Sequence, residues 1–127
     1  MRTYNEIYRS LKERFGFDFG TYEAMLTTFG RRIPDMTSEE QLAAAFECES
    51  ADAVEFLAFR SDDETVLRHF SKSDDDGIRI CVACNDCASP DILSALAADR
   101  CEEVRRHVAG NQHATKTARN LAKKTNG

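Results

Sequence analysis

The feature that most limits how this chain can fold is an internal repeat with a period of 26 residues. Laying "IRICVACNDCASPDILSALAADRCEE", from Ile78, over "VRRHVAGNQHATKTARNLAKKTNG", from Val104, matches Arg79 with Arg105, Val82 with Val108, Ala83 with Ala109 and Asn85 with Asn111. One period upstream, Leu67 meets Leu93, Phe70 meets Leu96 and Ile78 meets Val104. Periods of about 20–50 residues belong to stacked supersecondary units, none of which buries its apolar side alone. Past Asn111 the last copy drifts, and Ala118, Leu121 and Ala122 keep only a loose helical stripe. A final unit needs a polar outer face, so this drift is expected of the end of a stack.

The units are helical. From Asp52 onward, "DAVEFLAF", "ETVLRHFSK", "GIRICVAC", "SPDILSALA", "EEVRRHVAG" and "ATKTARNLAKK" each hold two or three turns' worth of residues between polar breaks. Pro90 follows the cap residue Ser89, where a first helical turn tolerates proline. Ser38 opens the alanine-rich "SEEQLAAAF", with Glu39 and Glu40 at the positive end of its helix. Before it, Thr3 and Glu6 form a capping box for a helix carrying Tyr4, Ile7, Tyr8, Leu11 and Phe15. A second helix is predicted over Thr21 to Phe29, and Pro34 and Asp35 mark a loop. No useful length alternates with a period of two residues. The expected class is therefore all-α: a short helical-repeat solenoid over 38–127, capped by an aromatic-rich helical pair over 1–37. Val82, Leu93, Leu96, Val104 and Val108 are its expected core.

These residues carry a family resemblance. The variant leucine-rich repeat motif runs V-R-x-x-V-A-x-N-P-x-T-P-x-x-L-L-x-x-L-A-x-D, and the chain resembles it through Ile78, Arg79, Val82, Ala83, Asn85, Ile92, Leu93, Leu96, Ala97 and Asp99, restarting at Val104 and Arg105. Asp86 and Ala88 replace the motif's first proline and its threonine, and Ser89 takes the second proline's place with Pro90 beside it. The resemblance is good over 78–111, partial over 52–77 and absent before about residue 38. It implies a right-handed solenoid of paired helices, some of them tight 3₁₀ turns, used as a binding surface. It brings no catalytic residues.

Charge is distributed unevenly. Residues 38–99 hold four Lys/Arg against fifteen Asp/Glu, whereas 100–127 hold seven against two. All eight Phe and all three Tyr lie at or before Phe70, so later units must pack with aliphatic and small residues. The opening "MRTYNEIYRS" lacks an apolar signal core, and no apolar run is long enough for a membrane span. The expectation is an intracellular, cytoplasmic protein with no membrane partner. Five cysteines, an odd number, suit a reducing compartment better than a disulfide framework.

Cys81, Cys84 and Cys87 follow a C-x₂-C-x₂-C spacing that begins some iron–sulphur sites. With Cys101 they are the candidate ligands for zinc or a cluster, and His107 and His113 fall near them in the repeat register. A four-cysteine site needs a clear fourth ligand, and Cys101 lies fourteen residues beyond Cys87. The repeat supplies a simpler account, in which Cys81 is a small hydrophobe beside Val82 and Ala83. No metal or cofactor is therefore expected. G-x-S-x-G, Walker and H-E-x-x-H motifs are absent from the sequence, and His69, His107 and His113 have no evident catalytic partner, so the chain reads as a non-enzyme.

Two binding modes follow. In the first, Glu47, Glu49, Asp52, Asp62, Asp63, Glu64, Asp74, Asp75 and Asp76 line one edge of the stack and dock on the basic surface of another protein. Such an edge can mimic nucleic-acid phosphates, as small acidic inhibitors of nucleic-acid-binding machines, anti-CRISPR proteins among them, do. In the second, Arg105, Arg106, Lys116, Arg119, Lys123 and Lys124 grip nucleic acid directly. Arg79 and Arg105 have a structural alternative, bonding carbonyls between stacked units.

Overall fold

The computed structural model describes residues 37–47 and 51–125, together with Glu6, Arg9 and Glu13. These last three are helical and exposed, at a spacing that places them on one helical face. The rest of the expected N-terminal cap, including the Thr21 to Phe29 helix, lies outside the described residues.

The described chain is all-α. Its helices are α1 (Ser38–Glu47), α2 (Ala51–Arg60), α3 (Glu64–Phe70), α4 (Asp76–Cys84), α5 (Pro90–Leu96), α6 (Glu102–Gly110) and α7 (Lys116–Thr125). No strand occurs among the described residues. None of the described helices is long and apolar enough to cross a membrane.

The period is built into the caps. Thr37, Asp63, Ser89 and Thr115 precede α1, α3, α5 and α7 at intervals of 26 residues. Each side chain accepts the backbone N–H three residues on: Glu40 at 3.1 Å, Val66 at 3.1 Å, Ile92 at 3.3 Å and Ala118 at 3.0 Å. Such a bond satisfies one of a helix's orphan donors and fixes where the helix starts. At Thr37 the Glu40 carboxylate reciprocates, accepting the Thr37 N–H at 2.9 Å. The period therefore reaches back to residue 37, before the stretch from residue 52 where the motif is visible.

The helices form two layers. In one, α2 packs on α4 and α4 on α6; in the other, α1 packs on α3 and α5 on α7. Between the layers lie Leu57, Val66, Leu67, Val82, Ile92, Leu93, Val104 and Val108, all buried. The equivalent buried positions 44, 70, 96 and 122 hold Ala, Phe, Leu and Ala, so the bulk at this core position varies from unit to unit.

One irregularity matters. The loop after α2 has three residues, 61–63, where the loop after α4 has five, 85–89. Ser61 thereby takes the place that Asn85 and Asn111 hold in later units, although it lies only 24 residues before Asn85.

Candidate partner-binding surface

Buried polar side chains are where chemistry would be sought first, and here they hold units together. Asn85 donates its amide hydrogens to the carbonyls of Ala58 at 2.9 Å and Ser61 at 2.8 Å, both in the preceding unit. Asn111 repeats this toward Ala83 at 2.8 Å and Asn85 at 3.1 Å. Their carbonyl oxygens accept the backbone N–H of Cys87 at 2.7 Å and of His113 at 2.9 Å. Each asparagine thus spends two donors and an acceptor on the backbone. In the first unit Ser61 accepts the Asp63 N–H at 3.2 Å and donates its hydroxyl to the buried Gln41 carbonyl oxygen. The matching of Asn85 with Asn111 was the sequence signal for this ladder; its role was visible only once their partners were.

Arg79 is also structural. Its guanidinium donates to the Asp99 carboxylate at 2.9 and 3.2 Å, to the Ser73 carbonyl at 2.7 Å and to Asp76. The Arg79 and Asp99 side chains are only 5% and 10% exposed, so this is a largely buried ion pair between α4 and the loop before α6. The hydrogen bonds to Asp99 raise the Arg79 pKa against the opposing effect of burial. Asp99 serves three partners, since its carboxylate also accepts the Cys101 N–H at 2.9 Å and its carbonyl accepts from Arg105. Among the described residues no buried side-chain nitrogen or oxygen lacks a partner.

The acidic candidates do not share one edge. Asp62, Asp63 and Glu64 stand at the N-terminal end of α3, and Asp74, Asp75 and Asp76 lie beyond its C-terminal end. Seven helical residues place the two groups about 10 Å apart. Helices alternate in direction through the stack, so loops half a period apart emerge at opposite ends. Several of these acids are also engaged. Asp63 caps α3 and accepts the Ser38 hydroxyl. Asp75 caps α4 through the Gly77 N–H at 2.8 Å, and Asp76 pairs with Arg79. Glu64 pairs with Arg68 at 3.0 Å on an exposed face. Asp62 and Asp74 are exposed, project into solvent-facing loops and carry no such duty. Glu49, and the side chains of Glu47 and Asp52, lie outside the described residues.

The basic candidates divide in the same way. Arg105 donates to the Asp99 carbonyl, and Arg119 donates its Nε–H to the Ala114 carbonyl at 3.1 Å. Arg106 is exposed and pairs with Glu102 at 3.3 Å. Lys116, Lys123 and Lys124 are exposed on α7.

The cysteines are split between elements. Cys81 and Cys84 are half-buried on α4, Cys87 is exposed in the following loop and Cys101 precedes α6. Burial, together with the nearby charge of Glu55, pushes the Cys81 thiol up to about 11, and burial raises Cys84. Both thiols therefore hold their protons near neutrality, which opposes their use as nucleophiles. Among the described residues no three His, Cys, Asp or Glu side chains gather as a metal site would require.

Among the described residues, two clefts open at the α3–α4 side. One is lined by Lys72, Ser73, Asp74, Arg100 and the Arg79–Asp99 pair, the other by apolar residues such as Leu42 and Val54 together with His69, Lys72, Ser73 and Asp74. What the surface offers is unevenly signed charge in loops and on α7, held on a stack whose polar interior is already committed. Comparison with protein-family models, curated proteins and solved structures finds no match for this chain.

Proposed function

We propose that this chain is a non-enzymatic binding module whose acidic loops dock on a basic surface of another protein. The observation that carries this reading is the division of labour among its polar groups. Buried ones tie units together, while Asp62 and Asp74 protrude at opposite ends of α3 with the exposed Glu64 nearby. The resemblance to variant leucine-rich repeats, which act as binding surfaces, is consistent with it. Docking then involves two acidic points bracketing α3, with rim charges acting mainly on association rate and screened by salt.

The test must spare the structural acids, because reversing Asp63, Asp75 or Asp76 removes caps and an arginine partner. Immobilised wild type and a D62K/E64K/D74K variant are exposed to one nuclease-treated cell extract at about 50 mM and about 300 mM salt. The reading expects a basic protein held by wild type at low salt, released at high salt, and lost from the variant with its helical circular dichroism unchanged. An identical retained set on both would end it.

A second reading, nucleic-acid binding through α7, is favoured by the exposed Lys116, Lys123 and Lys124. It predicts a salt-dependent gel shift with a DNA or RNA duplex that K123E/K124E abolishes and D62K/E64K/D74K strengthens.

A further inference from the structure

The outward face of the α2–α4–α6 layer is used by neither reading. Asparagine bonds fix which positions correspond along it, since Asn85 reaches the Ala58 carbonyl and Asn111 the Ala83 carbonyl. On the side away from the most buried residues of each helix, one row then runs through the half-buried Glu55, the half-buried Ile80, which also packs against the core, and the exposed Arg106; another runs Phe59, Cys84, Gly110. Both rows are unlike at their two ends. Charge passes from acid on α2, through an apolar residue on α4, to base on α6. Bulk passes from a phenylalanine that is 45% exposed, through a half-buried cysteine, to a glycine. A side chain built at Gly110 would meet nothing within 4 Å, so that end of the row is open.

Packed helices sit about 8–10 Å apart, so α2 and α6 stand too far from each other for Glu55 and Arg106 to pair within one chain. The residues at the two ends of these rows are nevertheless complementary to each other in sign and in size. A surface with that property is self-complementary under two-fold rotation. We propose that a second copy of this chain docks here, related by a two-fold axis running along α4. That rotation lays α2 of each copy over α6 of the other. Phe59 then enters the open space at Gly110, Glu55 meets Arg106, and Ile80 and Cys84 meet their own counterparts at the axis. Glu55 has Asp75 beside it, both carboxylates lying close to the Cβ position of Gly77, at 2.9 and 3.1 Å. The incoming arginine thus meets two acids. In exchange Arg106 gives up only an exposed pair with Glu102, an interaction of little worth in water.

The full chain is measured by sedimentation equilibrium in reducing, low-salt buffer from about 1 to about 200 µM, with circular dichroism as the check on folding. A reversible monomer–dimer equilibrium is expected. Phe59→Ser should weaken it about tenfold or more, as loss of a central aromatic anchor does. Glu55→Arg and Arg106→Glu should each weaken it, and the two together should return it to within about threefold of wild type, because the swap restores the opposed charges. A chain that stays monomeric throughout overturns the proposal, which would leave the face to another occupant such as the chain's own N-terminal segment. So does a dimer indifferent to Phe59→Ser, or one in which the double swap gives no rescue.

Discussion

The contact between α2 and α4 and the contact between α4 and α6 look alike in outline and differ in how their polar groups are arranged. Both carry an asparagine that bonds two carbonyls of the preceding unit. At the second, the Arg79–Asp99 pair also links α4 to the loop before α6. At the first, the position corresponding to Arg79 is Val54, and Ser73 stands where Asp99 stands a period later. Ser73 keeps one of Asp99's duties, accepting the Asp75 N–H at 3.1 Å. A repeat can therefore retain the local bond that shapes its loop while dropping the long-range bond that joins it to a neighbour. The earlier contact relies on aliphatic packing plus one asparagine. The later one adds a largely buried ion pair, which couples its integrity to keeping both partners.

The largest expected effect breaks the later contact. Replacing Arg79 by Met leaves Asp99 buried without its cation, and removing one member of a buried pair costs about 3–5 kcal/mol. Urea unfolding followed by circular dichroism measures this; a loss under about 1 kcal/mol would remove the distinction between the contacts. Next come Leu67→Ala and Leu93→Ala, equivalent positions that are both fully buried, expected to cost about 2–5 kcal/mol each. If the two agree closely, apolar packing is the same in both units and the contrast is entirely polar.

Asn85→Ala and Asn111→Ala each deprive two carbonyls and one N–H of a partner, at about 1–3 kcal/mol for each substitution. Water entering either gap reduces that figure. Asn111→Ala should be the milder, because the Arg79–Asp99 pair continues to link α4 to the loop before α6; equal losses would show that pair and asparagine act independently.

The smallest effect is a pH dependence at Cys81. Its folded pKa of about 11 lies above the ordinary 9.0, so between those values the folded protein holds a proton that the unfolded chain releases. Stability is then complete below about pH 9 and declines as pH rises toward 11. Cys81→Ser should flatten that decline in unfolding midpoints taken across the range. A decline of unchanged slope would place the titrating group elsewhere.

Much of the fold is legible in the chain because it rests on short-range rules. The caps at Ser89 and the acid-rich start of α1 act over three or four residues, so neighbouring letters contain both partners. The 26-residue period follows from matched letters, and the buried Val82, Leu93, Leu96, Val104 and Val108 follow from helical spacing within it. What stacking decided was every bond between packed elements. Arg79 finds Asp99 twenty residues away because α6's loop is carried alongside α4, and Asn85 finds Ala58 only because α2 is. The acidic residues teach the same point from the other side. Asp62 and Asp74 are near neighbours in the sequence, yet a helix runs between them and sends them to its opposite ends. Composition determined that the loops are acidic. Only the alternation of helix direction determined that they cannot form a single edge, since a chain folding back on itself reverses which end each loop occupies.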